Sequence, residues 1–408
     1  MMDKSRFFIS LSLSALAALP AIAVNDSPAA SADSYTLISR QLVSANPSVM
    51  AQKSEAEAEL LELKSSNNLS DPEISVVQLW GDQGAGKKLD VGISQSFDWP
   101  GAYRARRRAI NAATKATTLL DLSNYADRMI EAKQLLIDLS YHIQHVSTLS
   151  SMLKGMDDLY EVIKEGYRQG EQTLLDLKRL EIERVSMRAR YTTCLSDIAS
   201  ARAAIRSFAP DIDLASIEPL ISRFPEEKLL SEADYEAQVD EFDPMVRYYN
   251  ALTEEVRHKG EADRLAASFP GFSLGYDYQR EAGVNFHGFS ASLSLPFFSR
   301  RNVKASAAAT SLATSYQRDA ARLERVMAIR SAYAAGKNLT AQAAEYDEVI
   351  HQSPTYADLL KKALDGGQID AQHYLQELDF YLSFIEESLE VNYNRAKVMA
   401  DLNRYSLD

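Results

Sequence analysis

His142 and His145 stand three residues apart in a long apolar-periodic stretch. That spacing puts both imidazoles on one face of a helix, an arrangement that would suit a zinc or copper ligand pair. No third ligand lies near them in sequence, so the expectation is a packed or solvated polar role, with no metal assigned. The one cysteine, Cys194, excludes a disulfide framework and reads as a small packed side chain rather than a nucleophile. Glu55, Glu57, Glu59 and Glu62, and again Glu386, Glu387 and Glu390, have spacings that place charge on a wet helix face. General acid–base work needs two carboxylates held in a cleft with separated pKa values, and long exposed helices offer none. Neither a phosphate-cradling glycine loop nor a nucleophile elbow occurs. The residues point to no enzyme and no cofactor.

Composition narrows the class further. The formal net charge of −13 over 408 residues repels phosphate backbones and excludes a nucleic-acid partner. Lys4 and Arg6, the apolar run from Phe7 to Leu19 and Ala21-Ile22-Ala23 predict a signal peptide over 1–23, and no cysteine near that site could carry a lipid. No later run approaches the roughly 18–20 apolar residues of a spanning helix, so a membrane location would require a β-barrel or an anchor. Sixteen glycines and twelve prolines fall well below average usage, which predicts long regular elements.

The chain repeats itself. Pro47 and Pro244 open helical stretches, Pro72 and Pro270 open alternating segments, Pro100 and Pro296 close them, and Gly170 and Gly367 begin returning helices. These four pairs agree in spacing within two residues, as an internal duplication requires. The predicted organisation is a first repeat over 24–210, a linker over 211–231 containing Pro219 and Pro225, and a second repeat over 232–408.

In each repeat two strands follow the first helix. Ile74, Val76, Val91, Ile93 and Phe97 alternate with polar residues, as do Phe272, Leu274, Tyr276, Phe289 and Leu293. These ten are the predicted lipid-facing side chains. Strands near ten residues suit a tilted bilayer crossing, with serine and aspartate facing water and Trp80, Trp99, Tyr278, Phe286 and Phe297 near the strand ends as an interfacial girdle. Four strands cannot close a barrel, so several chains must contribute; three would give twelve strands and an aqueous lumen. Arg104, Arg106, Arg107 and Arg108 follow the second strand, where they would reach lipid phosphates, a lumen charge filter being the alternative.

Beyond them an apolar seam runs through Leu122, Tyr125, Met129, Ala132, Leu136, Leu139, Ile143 and Val146, slips at Leu149, and continues through Leu153, Met156, Tyr160 and Ile163. The seams expected on the returning helices are Leu175, Ile182, Val185 and Ala189, with Lys178 interrupting, and Leu375, Leu378, Leu382, Ile385 and Leu389. Each repeat thus predicts a helical hairpin turning near a glycine. The fold class is α+β: mainly long coiled-coil hairpins in two structural repeats, with four strands per chain completing a twelve-strand barrel in a trimer.

Asn46-Pro47, the strand Ile93-Ser94-Gln95-Ser96-Phe97-Asp98-Trp99-Pro100-Gly101 with its trailing arginines, and Tyr167-Arg168-Gln169-Gly170 with Leu174-Leu175-Asp176-Leu177 resemble TolC-family outer-membrane efflux proteins. Trp-Pro-Gly with following arginine is most similar to the CzcC-like heavy-metal branch. The resemblance spans about Tyr35 to Tyr405. It implies a homotrimer in outer-membrane lipids that extends into the periplasm, a periplasmic membrane-fusion adaptor and an inner-membrane pump of the RND type. It also implies adaptor docking at the hairpin tips, here Arg168, Gly170, Gly366 and Gly367. A closed periplasmic gate would fall among Asp176, Asp365, Asp370, His373 and Gln376. The other functional class the pattern allows is a periplasmic coiled-coil spacer without a pore.

Overall fold

A computed structural model describes residues 32–81, 86–170, 172–281, 283–295, 302–352 and 356–405, excluding the side chains of residues 32, 33, 352, 357, 358, 365 and 371. The expected signal peptide and Phe297 lie outside the described residues. In order, the elements are α1 (Ala32–Ser44), α2 (Pro47–Ser65), β1 (Glu73–Trp80), β2 (Lys87–Phe97), α3 (Pro100–Gln169), α4 (Leu174–Phe208), α5 (Leu214–Ile217), α6 (Glu232–Phe242), α7 (Pro244–Ser268), β3 (Gly271–Glu281), β4 (Val284–Ser294), α8 (Val303–Gln352), α9 (Tyr356–Asp365) and α10 (Ala371–Leu402). The chain is α+β, with long helices and one four-stranded antiparallel sheet ordered β1-β2-β3-β4.

Helix–strand–strand–helix–helix occurs twice, with one difference. The first long helix, α3, runs unbroken for 70 residues, whereas its counterpart divides into α8 and α9 on either side of Ser353-Pro354-Thr355, which lie outside the described residues.

The chain forms two compact units, each drawing on both sequence repeats. One comprises residues 47–128 and 230–331, including the whole sheet. Asp243 caps α7 by accepting from the Val246 N–H at 2.9 Å, and Pro244 occupies the first turn, where its missing donor costs nothing. In the same unit α6 is tied to α8 by Arg322–Asp240 at 2.5 Å, Arg325–Asp243 at 2.9 Å and Arg330–Glu236 at 2.5 Å.

The second unit holds residues 32–46, 129–229 and 332–405. Its apolar core joins Leu149, Met152, Met156 and Ile163 of α3 to Leu180 and Met187 of α4, with Leu378 and Leu382 of α10. Met152 and Leu159 are more deeply buried than Leu153 and Tyr160, so beyond the slip the seam centres one residue earlier than the pattern suggests. On α4 the expected seam is overturned: Leu175, Ile182 and Val185 are 77, 68 and 65% exposed. Leu180, Met187 and Cys194 bury instead, at seven-residue spacing. Lys178 therefore interrupts nothing, because it sits on the outward stripe. Helix α4 carries two apolar stripes, and its own chain covers one.

Residues 211–229 also contribute to this unit. Leu214, Ile217 and Ile221 are buried, and Tyr35 donates its hydroxyl to the Arg223 carbonyl at 2.8 Å. Glu227 pairs with Lys133, their side chains only 6 and 3% exposed, and accepts from the Asn403 side chain at 2.8 Å. Neither ion can recover its lost hydration without the other. Lys133→Ala, leaving Glu227 charged and unpaired, is expected to cost about 3–5 kcal/mol, read as a lowered urea midpoint for this unit; an unchanged midpoint would mean water already reaches the pair.

Candidate functional site

Three features hold the residues singled out from sequence: the sheet, the two hairpin turns and a polar cluster between helices. The sheet sorts its side chains by register. Ile74, Ile93, Tyr276 and Phe289 form one cross-strand row, Val76 and Val91 lie in the next, and Phe97, Phe272 and Leu293 form another nearer the helices. With Leu274, all ten predicted lipid-facing residues occupy one face, because period two is preserved across every pairing. This face is bare: Phe289 is 92% exposed and Ile74 70%.

The opposite face carries Ser75, Ser94, Ser96, Ser273, Ser290 and Ser292 with Asp277. Ser273 and Ser292 hydrogen-bond across strands at 2.6 Å. At Gly92 a Cβ would lie 2.6 Å from Asp277 Oδ1 and 2.9 Å from Ser75 Oγ, so glycine lets these polar groups crowd together. Phe286 departs from the girdle expected of it: paired with Gln279, it shares the hydroxyl face. At the helix end of the sheet, Trp99 stacks on Phe269 with centroids 4.8 Å apart. Of the basic cluster, Arg106 pairs with Asp98 at 2.6 Å and Arg108 with Glu261 at 3.3 Å.

The hairpin turns are built on left-handed glycines. Gly367, at φ +65°, closes a Schellman motif: its N–H donates to Leu364 O at 3.0 Å and the Gln368 N–H to Ala363 O at 2.8 Å, with Gly366 between. Asp370 then caps α10, accepting from the His373 N–H at 2.8 Å and its Nδ1 at 2.9 Å. Those two bonds, the backbone one foremost, hold the Asp370 carboxyl below its ordinary range. Gln376 is exposed on the next turn, and the Asp365 side chain lies outside the described residues.

At the other turn Gly170 adopts φ +78°. A capping box follows, in which Asp176 N–H donates to Thr173 Oγ1 at 3.2 Å and Thr173 N–H to Asp176 Oδ2 at 3.2 Å. Arg168 pairs with Glu165 at 3.2 Å. Hydrogen bonds from Gln169 and Arg168 lower the Glu165 pKa. Asp176 and Asp370 thus both serve as local caps, a role legible in the Thr-x-x-Asp and Asp-x-x-His spacings.

His145, Cys194, Glu386 and Arg190 meet between α3, α4 and α10. Cys194 Sγ lies 3.3 Å from His145 Nδ1, His145 Nε2 lies 2.9 Å from Glu386 Oε1, and Arg190 holds both Glu386 oxygens. Burial raises the Cys194 pKa, the opposite of an activated thiolate. Glu386 was expected on a wet face, but its side chain is only 23% exposed. Sequence distance hid this cluster. Among the described residues no three His, Cys, Asp or Glu side chains converge to hold a metal ion.

No family model matches the sequence, and neither does any curated protein. Solved structures do match in fold. A membrane protein from Pseudomonas aeruginosa superposes with TM-score 0.70 at 17% identity, covering 91% of this chain and 92% of that one. The Campylobacter jejuni CmeC outer membrane channel gives 0.68 at 14% identity over 91 and 85%. The open state of the Neisseria gonorrhoeae MtrE outer membrane channel gives 0.62 at 15% over 91 and 88%. The chain has the fold of these outer-membrane channels. No helix among its described residues is long and apolar enough to cross a membrane.

Two outcomes follow from this geometry. Gly367→Ala is expected to cost about 1–2 kcal/mol, because a Cβ resists the left-handed conformation, read as faster proteolysis or amide exchange across 363–370; unchanged protection would mean the turn tolerates a side chain. Burial raises the Glu386 pKa, but the His145 hydrogen bond and the Arg190 charge outweigh it and bring it below the ordinary 4.5. Its stabilisation is therefore complete above that value and lost as pH falls through the lower folded one. Glu386→Gln is expected to cost about 1–2 kcal/mol at neutral pH, with the difference from the unsubstituted protein closing in acid; a pH-independent difference would show that charge is not the cause.

Proposed function

We propose that this chain is the outer-membrane component of a tripartite efflux system, a passive exit duct assembled from three copies. The observation that carries the reading is the sheet. It has one bare apolar face, one face of hydroxyls and carboxylates, and two edge strands with unpaired backbone groups. A bilayer accepts such strands only when the edges close on one another, and a twelve-strand barrel of three sheets leaves a wet lumen. The second apolar stripe of α4 supports the same assembly, as does an exposed stripe on α8 at Leu312, Tyr316, Leu323 and Met327. Both are suited to helices of adjacent copies.

In this reading Ile74, Val76, Val91, Ile93, Phe97, Phe272, Leu274, Tyr276, Phe289 and Leu293 face lipid. Arg168, Gly170, Gly366 and Gly367 mark tips that dock a periplasmic adaptor. Asp176, Asp365, Asp370, His373 and Gln376 border a gate that is closed at rest and opened by adaptor binding. Energy comes from an inner-membrane pump of the RND type. The Trp99-Pro100-Gly101 segment with its arginines resembles the heavy-metal branch, but a shared duct does not separate metal from drug cargo, and selectivity is assigned to the pump.

Purified from outer membranes and added to a planar bilayer, the chain should insert as trimers and conduct weakly, with conductance rising when the tips are loosened by Asp370→Ala and Asp176→Ala together. A protein that stays soluble and never inserts would contradict the duct and favour a pore-free periplasmic spacer.

A further inference from the structure

On the bare apolar face of the sheet, the first side chains of fixed charge occur in the last two rows before the turns. Gln78, Leu89, Arg280 and Asn285 form one row, and Trp80 and Lys87 pair in the next. Arg280 and Lys87 are exposed, and neither has an ion-pair partner among the described residues. The carboxylates of this end, Asp90 and Glu281, stand on the opposite face, where Lys88 lies 4.0 and 3.8 Å from them. Charge is thus sorted by face: balanced on the hydroxyl side and purely cationic on the other, in a chain whose net charge is −13.

The neighbours of these cations complete a donor set. Asn285 is the cross-strand partner of Arg280, and its Oδ1 accepts from the Tyr278 hydroxyl at 3.0 Å, which leaves its amide NH2 as a donor. Lys87 is a diagonal neighbour of Arg280 on the same face, within reach of two long side chains. Leu89 stands opposite Arg280 and Trp80, 71% exposed, opposite Lys87, so each cation has an apolar companion. Strand β2 runs from Lys87 to Phe97, roughly 33 Å along the strand and about 25 Å of height at a tilt near 40°. That is the height of the apolar band of a membrane barrel, so the cations stand where hydrocarbon gives way to headgroups.

We propose that Lys87, Arg280 and Asn285 of each copy bind the phosphate monoester of an outer-leaflet lipid, a phosphorylated glycolipid whose acyl chains lie along the apolar rows below. The inference rests on the duct reading, in which the helices extend into the periplasm and the hairpin end of the sheet therefore reaches the outer leaflet. Arginine offers a planar fork to two phosphate oxygens, lysine a point charge and the amide a neutral donor. A zwitterionic headgroup brings a cation of its own to two unpaired cations and is bound less well. Leu89 and Trp80 pack on the first carbons of the acyl chains, beside the charge rather than beneath it.

The test is a lipid titration of the full chain extracted in a neutral detergent, followed by native mass spectrometry, which reads oligomer mass and bound lipid together. The probes are bis-phosphorylated lipid A, its dephosphorylated form and phosphatidylcholine. Parent trimers should bind lipid A at least about tenfold more tightly than either other lipid, and Lys87→Gln with Arg280→Gln should remove that preference. Asn285→Asp, which sets a carboxylate beside the cations, should weaken lipid A binding in the same direction without touching either charge, guarding against a double variant that fails to assemble. Trimers that bind lipid A and its dephosphorylated form equally, or variants that bind lipid A as the parent does, would overturn the site and leave the duct standing. A parent that is monomeric in the same spectra would overturn the duct and the site with it.

Discussion

The constraint on which this protein depends is the unpaired backbone of its outermost strands. β1 and β4 each bond to one neighbour only, and each exposes alternate N–H and C=O groups on its free side. In water such an edge invites aggregation; in hydrocarbon it cannot persist. An apolar face as bare as that around Phe289 makes water an equally poor solvent for the sheet. Both difficulties would be relieved together in the proposed barrel, where three sheets close edge to edge within a bilayer.

The helices follow the same logic with different chemistry. Helix α4 buries one stripe against its own chain, using a seven-residue spacing of Leu180, Met187 and Cys194, and leaves a second stripe bare. A helix that is apolar on two sides has a second surface to satisfy. Polar groups within the core are paired rather than excluded: Lys133 with Glu227, and Arg190 and His145 with Glu386. Such pairs fix which helices meet more than they add stability. At the turns, left-handed glycines and carboxylate caps reverse the chain within a few residues.

Much of this was legible in the sequence because its dominant signals are periodic. Period two assigned all ten predicted lipid-facing residues to one side, since a strand register that preserves alternation cannot mix them. The 70-residue helix and the glycine turns followed from sustained heptads and from Gly170 and Gly367. What escaped was whatever depends on a second surface. The stripe at Leu175, Ile182 and Val185 was read as the core seam because periodicity reveals an apolar stripe without saying which partner covers it. Phe286 was placed in a girdle by its type and nearness to a strand end, whereas the pairing with Gln279 puts it on the other face. The His145–Cys194–Glu386 cluster joins residues far apart in sequence on three helices, and no local spacing announces it.

Amide hydrogen exchange of the detergent-extracted protein, resolved over β1 and β4, tests the central claim most directly. If the edges pair between copies, the amides of Glu73–Trp80 and Val284–Ser294 should be protected to the same degree as those of β2 and β3. Rapid exchange confined to the outward-facing amides of β1 and β4, with β2 and β3 protected, would mean that the sheet remains open and that the chain does not form the barrel.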